Sequence, residues 1–204
     1  FGRRVLIPLA MDFMKHNPQV QVDLSFEDRY TDLVANGIDV ALRLGKLADS
    51  SLGARMLGVN PWVLVASNTY LRKHGTPRRP SDLKEHSTLI YSSVQGNDIW
   101  RLRNASGEPV SIPVTGRLRS NNLSALLAAA RSHMGIAALP RYVAQDSLKD
   151  GRVVEVLKTC RLPEQEIHAV YPSPRLVPQK VQSFIAFLQG KFDDAWWEDL
   201  PRGG

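Results

Sequence analysis

The sequence predicts an α/β protein built from parallel βα units. Residues 3–16 place apolar side chains at helical spacing, and Pro8 predicts a bent or late start for this helix. Apolar and polar side chains alternate along residues 20–26, which is typical of a strand with one buried face. A short helix over 28–36 and a second strand over 38–44 follow. Helices and strands that alternate in this order are typical of parallel sheets covered by helices.

Two further segments support the same fold class. The run WVLVAS at 62–67 is almost entirely apolar, which is typical of a strand in the middle of a parallel sheet. Residues 123–134 are the clearest helix, because leucine, alanine and methionine side chains recur there at helical spacing. The polar residues 120–122 are N-cap candidates for it, and Gly135 is predicted to end it.

The remaining predicted elements are shorter. Residues 99–103 and 110–114 are predicted to pair as antiparallel strands joined by a turn at 104–107. Ser81 is a candidate N-cap for a short helix over 81–85. Further strands are predicted at 88–92, 116–122, 136–139, 153–157 and 167–171, further helices at 68–74 and 177–192, and turns over most of 45–60.

The composition excludes several classes of protein. Of the 204 residues, 43% are hydrophobic and 23% are charged, which is typical of a globular protein rather than a disordered chain. No stretch approaches the roughly 18 apolar residues that a membrane span needs, so we expect no membrane association. Cys160, the only cysteine, cannot form an internal disulfide. This favours a reduced, cytoplasmic protein, although a periplasmic protein without disulfides would have the same composition.

The net charge of +6 does not by itself indicate a nucleic-acid-binding protein. The basic residues are spread along the chain in pairs, such as Arg78 and Arg79, with acidic residues between the pairs. A surface that binds nucleic acid usually clusters positive charge on one face or one helix. The pattern therefore does not favour direct DNA binding by residues 1–204.

Sequence motifs for catalysis are missing. There is no Gly-x-Ser-x-Gly, no phosphate-binding P-loop and no Gly-x-Gly-x-x-Gly. The five histidines never have the spacing of metal ligands. We therefore expect a protein that is not an enzyme and that needs no metal and no cofactor. A catalytic site would have to be assembled from Glu27, Arg43 and Asp98.

Polar residues follow three predicted strands, at the place where open α/β sheets bind ligands. Arg43, Leu44 and Gly45 end the strand over 38–44, the loop at 92–100 follows the strand over 88–92, and residues 120–122 open the clearest helix. An arginine binds a carboxylate through two parallel hydrogen bonds, and a helix N-terminus attracts anions through its free N–H groups. These features predict a pocket for a small organic anion.

Each of these features also has a purely structural interpretation. Residues 120–122 would then only cap the helix, and Arg43 would form a surface ion pair. Trp100 would belong to the core rather than to a ligand site. The residues alone leave these alternatives open.

The order of the segments resembles that of a known family, the effector-binding domain of LysR-type transcriptional regulators. The resemblance covers nearly the whole chain, and it depends on the combination of segments rather than on any one of them. It is carried by FGRRVLIPLAMDFMKHNPQVQVDL (1–24), DLVANGIDVALRLG (32–45), VLVASNTYLRKHGTPRRPSDLKEHSTLIY (63–91), WRL (100–102), GRLRSNN (116–122), GIAALPRYV (135–143), KDGRVVEVL (149–157) and VYPSPRLVPQKVQSFIAFL (170–188).

The resemblance implies the fold of type 2 periplasmic binding proteins, in which two α/β subdomains are joined by two crossover strands around a central cleft. Subdomain I would comprise residues 1–66 and 170–204, and subdomain II residues 67–169. The cleft would hold a small-molecule effector. The residues that the family pattern places at this effector site are Glu27, Arg43, Leu44, Gly45, Ser92, Asn97, Trp100, Asn121 and Asn122.

The resemblance also implies an assembly. The helix at 3–16 would pack against the helix at 123–134 of a partner subunit in a homodimer, and full-length members often form tetramers. DNA would be bound only through a winged helix-turn-helix domain, which residues 1–204 do not match, and the family's first strand is unmatched as well. The alternative is an exported solute-binding protein of the same fold, which would be a monomer with a signal peptide.

Overall fold

The chain forms two compact units. The computed structural model describes residues 1–27, 30–92 and 98–200. Unit 1 comprises Phe1–Asn60 and Gln165–Gly204, and unit 2 comprises Pro61–Glu164. The chain thus leaves unit 1 after residue 60 and returns after residue 164, a few residues before the passages that the family resemblance implies. A strand begins directly after each of these two points, at Trp62 and at Gln165, and each strand pairs within a single sheet.

The described residues form ten strands and five α-helices. The strands are β1 (Ala41–Leu44), β2 (Gly53–Asn60), β3 (Trp62–Ala66), β4 (Thr88–Tyr91), β5 (Ile99–Arg103), β6 (Pro109–Pro113), β7 (Leu118–Ser120), β8 (Ile136–Pro140), β9 (Val154–Val156) and β10 (Gln165–Tyr171). The α-helices are α1 (Ile7–His16), α2 (Asn68–His74), α3 (Leu123–Arg131), α4 (Arg141–Lys149) and α5 (Gln179–Leu188). A π-helical turn at Gly2–Leu6 and 3-10 turns at Pro80–Glu85 and Trp196–Glu198 complete the set.

Unit 1 contains an antiparallel sheet of three strands in the order β1-β10-β2. Ile167 and Ala169 of the central strand are fully buried. Helices α1 and α5 pack through Phe13, whose ring centroid lies 5.0 Å from that of Phe184. Pro8 lies in the first turn of α1, directly after a π-helical turn that runs into this helix, and its missing N–H leaves one intrahelical hydrogen bond unmade. The irregular start predicted for this helix is therefore confirmed.

Two elements predicted near residue 30 are not formed. Residues 20–27 contain no strand, so the strand predicted over 20–26 is wrong, and β1 begins only at Ala41. An alternating pattern permits a strand, but a strand forms only when a neighbour supplies ladder hydrogen bonds, and no strand pair of the described residues includes this segment. The helix predicted over 28–36 is also wrong in its described part. Residues 33–37 form turns there, with the Asp32 carboxylate accepting hydrogen bonds from two backbone amides.

Unit 2 contains a five-stranded sheet in the order β7-β4-β8-β3-β9. Strand β4 is parallel to β7 and β8, whereas β3 is antiparallel to both of its neighbours. Strand β3 is paired on both sides, so the interior position predicted for residues 62–67 is confirmed, but the parallel pairing predicted for them is wrong. The run is apolar because both faces of the sheet are covered: Val63 and Val65 pack into one buried cluster, and Leu64 and Ala66 into another.

Helix α3 begins as predicted, with Asn122 as its N-cap, but it ends at Arg131 rather than at Gly135. His133 occupies the left-handed position after the helix, with a φ of 64°. The amide of the next residue donates a hydrogen bond to the carbonyl of Ala129, which closes the helix end. A histidine therefore performs the role that the sequence assigns to a glycine.

Two elements are missing from the sequence prediction. Strand β2 lies within residues 45–60, which are predicted to be turns, and it forms because β10 pairs along its length. Helix α4 directly follows Pro140.

Near residue 81 the chain forms a 3-10 turn, in which Asp82 rather than Ser81 accepts hydrogen bonds from the amides of Arg78 and Arg79. The predicted hairpin forms as β5 and β6, and the final helix is shorter than predicted.

Tyr70 and His86 form a buried polar pair in unit 2, beside the exposed side chain of His74. The hydroxyl of Tyr70 lies 3.2 Å from Nδ1 of His86, and the ring of His74 stacks on Tyr70 with its centroid 4.5 Å away. Burial and then the charge of His74 lower the pKa of His86 below its ordinary value of 6.5, while Asp82 and Glu85 act in the opposite direction. The folded chain therefore disfavours a proton on His86.

We expect the protein to lose stability as the pH falls below about 6.5. In that range the unfolded chain binds a proton at His86 more readily than the folded chain does, so the free energy of unfolding decreases with falling pH until the lower folded pKa is passed. Urea unfolding at about pH 8 and about pH 5 measures this loss. The variant His86→Gln should show a smaller loss, and an unchanged loss would assign the pH dependence to other groups.

Candidate functional site

The end of strand β1 presents Arg43, Leu44 and Gly45 in unit 1. Arg43 donates a hydrogen bond from Nη2 to the carbonyl oxygen of Thr31 at 2.9 Å. Its guanidinium also lies over the ring of Tyr30, 4.4 Å from the centroid. Gly45 has a φ of 102°, which glycine adopts without strain, and its amide donates a hydrogen bond to a β10 carbonyl. These contacts hold the half-buried Arg43 in one position.

Arg43 also lines a pocket of about 180 Å³ in unit 1. This volume is smaller than the roughly 300–1,000 Å³ of pockets that take drug-sized ligands. The apolar residues of its wall are Leu47, Ala48, Leu52, Ala54 and Val170. A cation beside an aliphatic wall suits a small molecule that combines a carboxylate with an apolar body.

A second group of predicted residues meets at one edge of the sheet in unit 2. Strands β4 and β7 run parallel, with Tyr91 opposite Ser120. The amide of Ser92 donates a hydrogen bond to the carbonyl of Ser120 at 2.9 Å. Ser92, Asn121 and Asn122 are exposed there. The structure thus brings residues from two predicted loops together at the carboxyl ends of two parallel strands.

Asn122 caps helix α3. Its Oδ1 accepts hydrogen bonds from the amides of Ser124 and Ala125, at 2.9 and 3.2 Å. The capping role that the sequence leaves open is therefore confirmed. Because Oδ1 is engaged, Nδ2 is the part of this side chain that would donate to a ligand.

We expect Asn122→Ala to lower the free energy of unfolding by about 1 kcal/mol, because two amides at the start of α3 lose their acceptor. Asn122→Asp should keep this stability, since a carboxylate accepts the same hydrogen bonds. The aspartate variant therefore removes the Nδ2 donor without removing the cap. Urea unfolding of both variants tests the expectation, and an equal loss in the two would contradict it.

The other predicted residues are placed differently. Glu27 is exposed, in a segment without regular structure. Trp100 is only 6% exposed and packs in the core of unit 2, which favours a core role over a ligand contact. Asn97 lies outside the described residues. Asp98 forms an ion pair with Arg119.

Sequence reasoning does not identify Tyr30 and Thr31 as neighbours of Arg43. They precede it by about a dozen residues, within a stretch that the sequence predicts as a helix. No spacing rule marks them, because the contacts depend on how a turn-rich segment folds back onto β1. In the ranges 1–27, 30–92 and 98–200, no group of three or more His, Cys, Asp or Glu side chains could hold a metal ion. No helix within these ranges has the length and apolar character to cross a membrane.

The chain is similar in sequence to proteins of one known family. A family model described as the LysR substrate binding domain matches residues 1–193. A probable HTH-type transcriptional regulator, LtrA, from Klebsiella pneumoniae is 36% identical over 195 residues, which cover 92% of this chain and 61% of that protein. An uncharacterized HTH-type transcriptional regulator from Haemophilus influenzae is 33% identical over 181 residues, which cover 89% and 62%. The chain thus spans about three fifths of the length of these relatives.

Solved structures show the same similarity. The full-length structure of the Vibrio cholerae virulence activator AphB, a member of the LTTR protein family, matches with a TM-score of 0.80 at 30% identity, covering 93% of this chain and 64% of that chain. The regulatory domain of CrgA, a LysR-type transcriptional regulator from Neisseria meningitidis, matches with a TM-score of 0.78 at 28% identity and covers 92% of both chains. These matches confirm the fold that the resemblance implies.

Proposed function

The chain belongs to the LysR substrate-binding domain family, and from this premise we propose that it is the effector-sensing part of a LysR-type DNA-binding transcriptional regulator. The family match over residues 1–193 supports the sensing role, and the relatives are transcriptional regulators rather than enzymes. DNA is bound in this proposal by a helix-turn-helix domain of the full-length protein. The chain itself binds the small molecule to which transcription responds.

The effector in this proposal is a small organic anion. The observation that carries this choice is Arg43, which is held by Thr31 and Tyr30 beside an aliphatic pocket. A guanidinium carries five N–H donors in a planar fork, and this geometry matches the two oxygens of a carboxylate. The pocket accommodates the apolar part of such a molecule. The contacts predicted for Glu27, Leu44, Gly45, Ser92, Asn97, Trp100, Asn121 and Asn122 stay predictions.

The transcriptional response requires that the effector bind two conformations of the protein with different affinities. An effector shifts the protein between two conformations only if it binds one of them more tightly than the other. In a dimer, such a shift changes the separation of the two DNA-binding domains. The distance between DNA half-sites is fixed by the helical repeat, so a small change in that separation alters promoter affinity.

The proposal includes a homodimer, with tetramers in the full-length protein, and a cytoplasmic location. The homodimer pairs α1 of one subunit with α3 of its partner. Met11 on α1 is 57% exposed, and α3 presents the small, uncharged side chains Ser124 and Ala125 to solvent. Apolar and small side chains on exposed helix faces support packing between two copies.

We expect Arg43→Gln to weaken the binding of small carboxylates about 10–100-fold, because a charge-assisted hydrogen bond contributes roughly 1.5–3 kcal/mol. The probes are a panel of aromatic and aliphatic carboxylates, measured by calorimetry, with the corresponding neutral amides as controls. Arg175→Gln is the matched variant, since it removes the same charge from an exposed loop of unit 1. Equal affinities of the two variants would contradict the role of Arg43.

The regulatory part of the proposal is tested in the full-length protein. A carboxylate that binds the chain should change promoter affinity, and Arg43→Gln should remove this response while leaving the affinity without effector unchanged. If promoter affinity is the same with and without every carboxylate that binds, the sensing role fails.

A further inference from the structure

Unit 2 contains a groove that none of the predicted effector residues lines. It is open, has a volume of about 550 Å³ and lies where helix α3 ends. Its lining includes Arg131, Ser132 and His133 from the end of α3, Arg152 from the segment after α4, and Ser67. No aspartate or glutamate is among the lining residues.

The sheet topology separates this groove from the predicted effector residues of unit 2. Strand β3 ends at the groove, next to Ser67. Because β3 is antiparallel to β8, and β8 is parallel to β4, β3 and β4 run in opposite directions. The groove therefore lies at the end of the sheet opposite to Ser92 and Asn121. It is a different site from the one proposed for the effector.

One of the two arginines that line the groove has no acidic partner among the residues that the structure describes. Arg152 pairs with Asp150 at 2.5 Å, whereas Arg131 forms no hydrogen bond or ion pair with the residues that the structure describes. The C-terminal end of a helix carries about half a negative charge, which a single arginine more than offsets. The end of α3 therefore offsets only part of the charge of Arg131.

His133 is held in the groove at an energetic cost. Its φ of 64° is a conformation that glycine adopts freely and that other residues adopt with strain. Its Nδ1 lies 2.7 Å from Oγ of Ser67, and this Oγ accepts a hydrogen bond from the amide of Tyr70 at 3.2 Å. This contact fixes the orientation of the imidazole ring, and Nε2 is the ring nitrogen that the contact with Ser67 leaves for a ligand.

We propose that this groove binds a phosphate monoester through Arg131, Arg152 and His133. Guanidinium groups match the oxygens of a phosphate with parallel hydrogen bonds, and the imidazole supplies a further donor. The groove is larger than one phosphate group, so the esterified part of the molecule has room beside it.

The experiment is an amide NMR titration of the chain with glycerol phosphate and, separately, with inorganic phosphate, at constant ionic strength. We expect saturable shifts centred on Ser132, His133 and Gly151, with glycerol phosphate binding at least as tightly as inorganic phosphate. Arg131→Gln should weaken binding about 10-fold or more. Arg101→Gln removes the same charge from exposed strand β5 of unit 2, and it should leave the affinity unchanged.

Several results would overturn the proposal. Shifts that sodium chloride reproduces, or that are the same in Arg131→Gln and Arg101→Gln, would mean that no site exists in the groove. Binding of inorganic phosphate without binding of glycerol phosphate would refute the monoester. If Arg131→Gln fails to fold, Arg152→Gln replaces it with the same expected loss, and His133→Gly tests the imidazole with a residue that suits the left-handed backbone.

Discussion

Replacing Leu126 with alanine is expected to lower the free energy of unfolding by about 3–5 kcal/mol. Leu126 has no exposed surface and packs in a cluster with Val65, Leu89 and Leu139, which joins α3 to the sheet of unit 2. Truncation removes buried methyl groups and leaves a cavity, because a helix and a sheet that are packed at high density relax only partly around it. Such a loss is a large part of the roughly 5–15 kcal/mol that stabilises a typical domain.

The control for this variant is Leu176→Ala. Leu176 is 85% exposed, so the same chemical change there should alter the free energy of unfolding by no more than about 0.5 kcal/mol. Urea unfolding followed by circular dichroism measures both variants. A loss below about 1 kcal/mol for Leu126→Ala would show that the cluster around α3 is not packed as the structure describes.

Gly135→Ala is expected to lower the free energy of unfolding by about 3 kcal/mol, at the upper end of the cost of overpacking. A methyl group on Gly135 would lie 2.4 Å from the carbonyl oxygen of Ser87. That oxygen accepts a hydrogen bond from the amide of Ile136 at 2.9 Å, at the start of the pairing between β4 and β8. The oxygen therefore cannot move away from the methyl group without weakening the pairing of these two strands.

Gly107→Ala is the matched control. Gly135 and Gly107 both have a positive φ, of 157° and 82°, but a methyl group on Gly107 would meet nothing within 4 Å. Gly107→Ala should lower the free energy of unfolding by about 1–2 kcal/mol, which is the cost of placing alanine in a left-handed conformation. Thermal and urea unfolding of the two variants separate this cost from the clash at Ser87. If the two variants lose the same free energy of unfolding, the close approach of Gly135 to Ser87 does not constrain the fold.

Most elements with a strong local pattern are predictable from the sequence. The periodicity of residues 123–134 and their polar start identify α3 and its cap at Asn122. The apolar run at 62–67 identifies an interior strand. Its direction is not predictable in the same way, because burial on both faces produces the same run in parallel and antiparallel strands.

The candidate site is predictable only in part. Arg43 is identified because it ends a recognisable strand, and the edge at Ser92 is identified because it follows another. Tyr30 and Thr31 are missed because their contacts with Arg43 belong to a segment whose predicted helix is wrong. A contact of this kind depends on the path of a turn-rich segment, and the sequence of such a segment has no periodic pattern that predicts its path.

The amino-acid sequence alone was sufficient for the family, for the class of fold and for the elements whose side chains repeat with the period of a helix or a strand. Residues 20–26 show the limit of such patterns, since apolar and polar side chains alternate there but no neighbouring strand pairs with the segment in the described residues. The contact of His133 with Ser67, 66 residues earlier, likewise appears only in the folded chain. Periodicity is a property of neighbouring residues, whereas strand pairing, close backbone approach and the grouping of polar side chains depend on residues that meet only after the chain has packed.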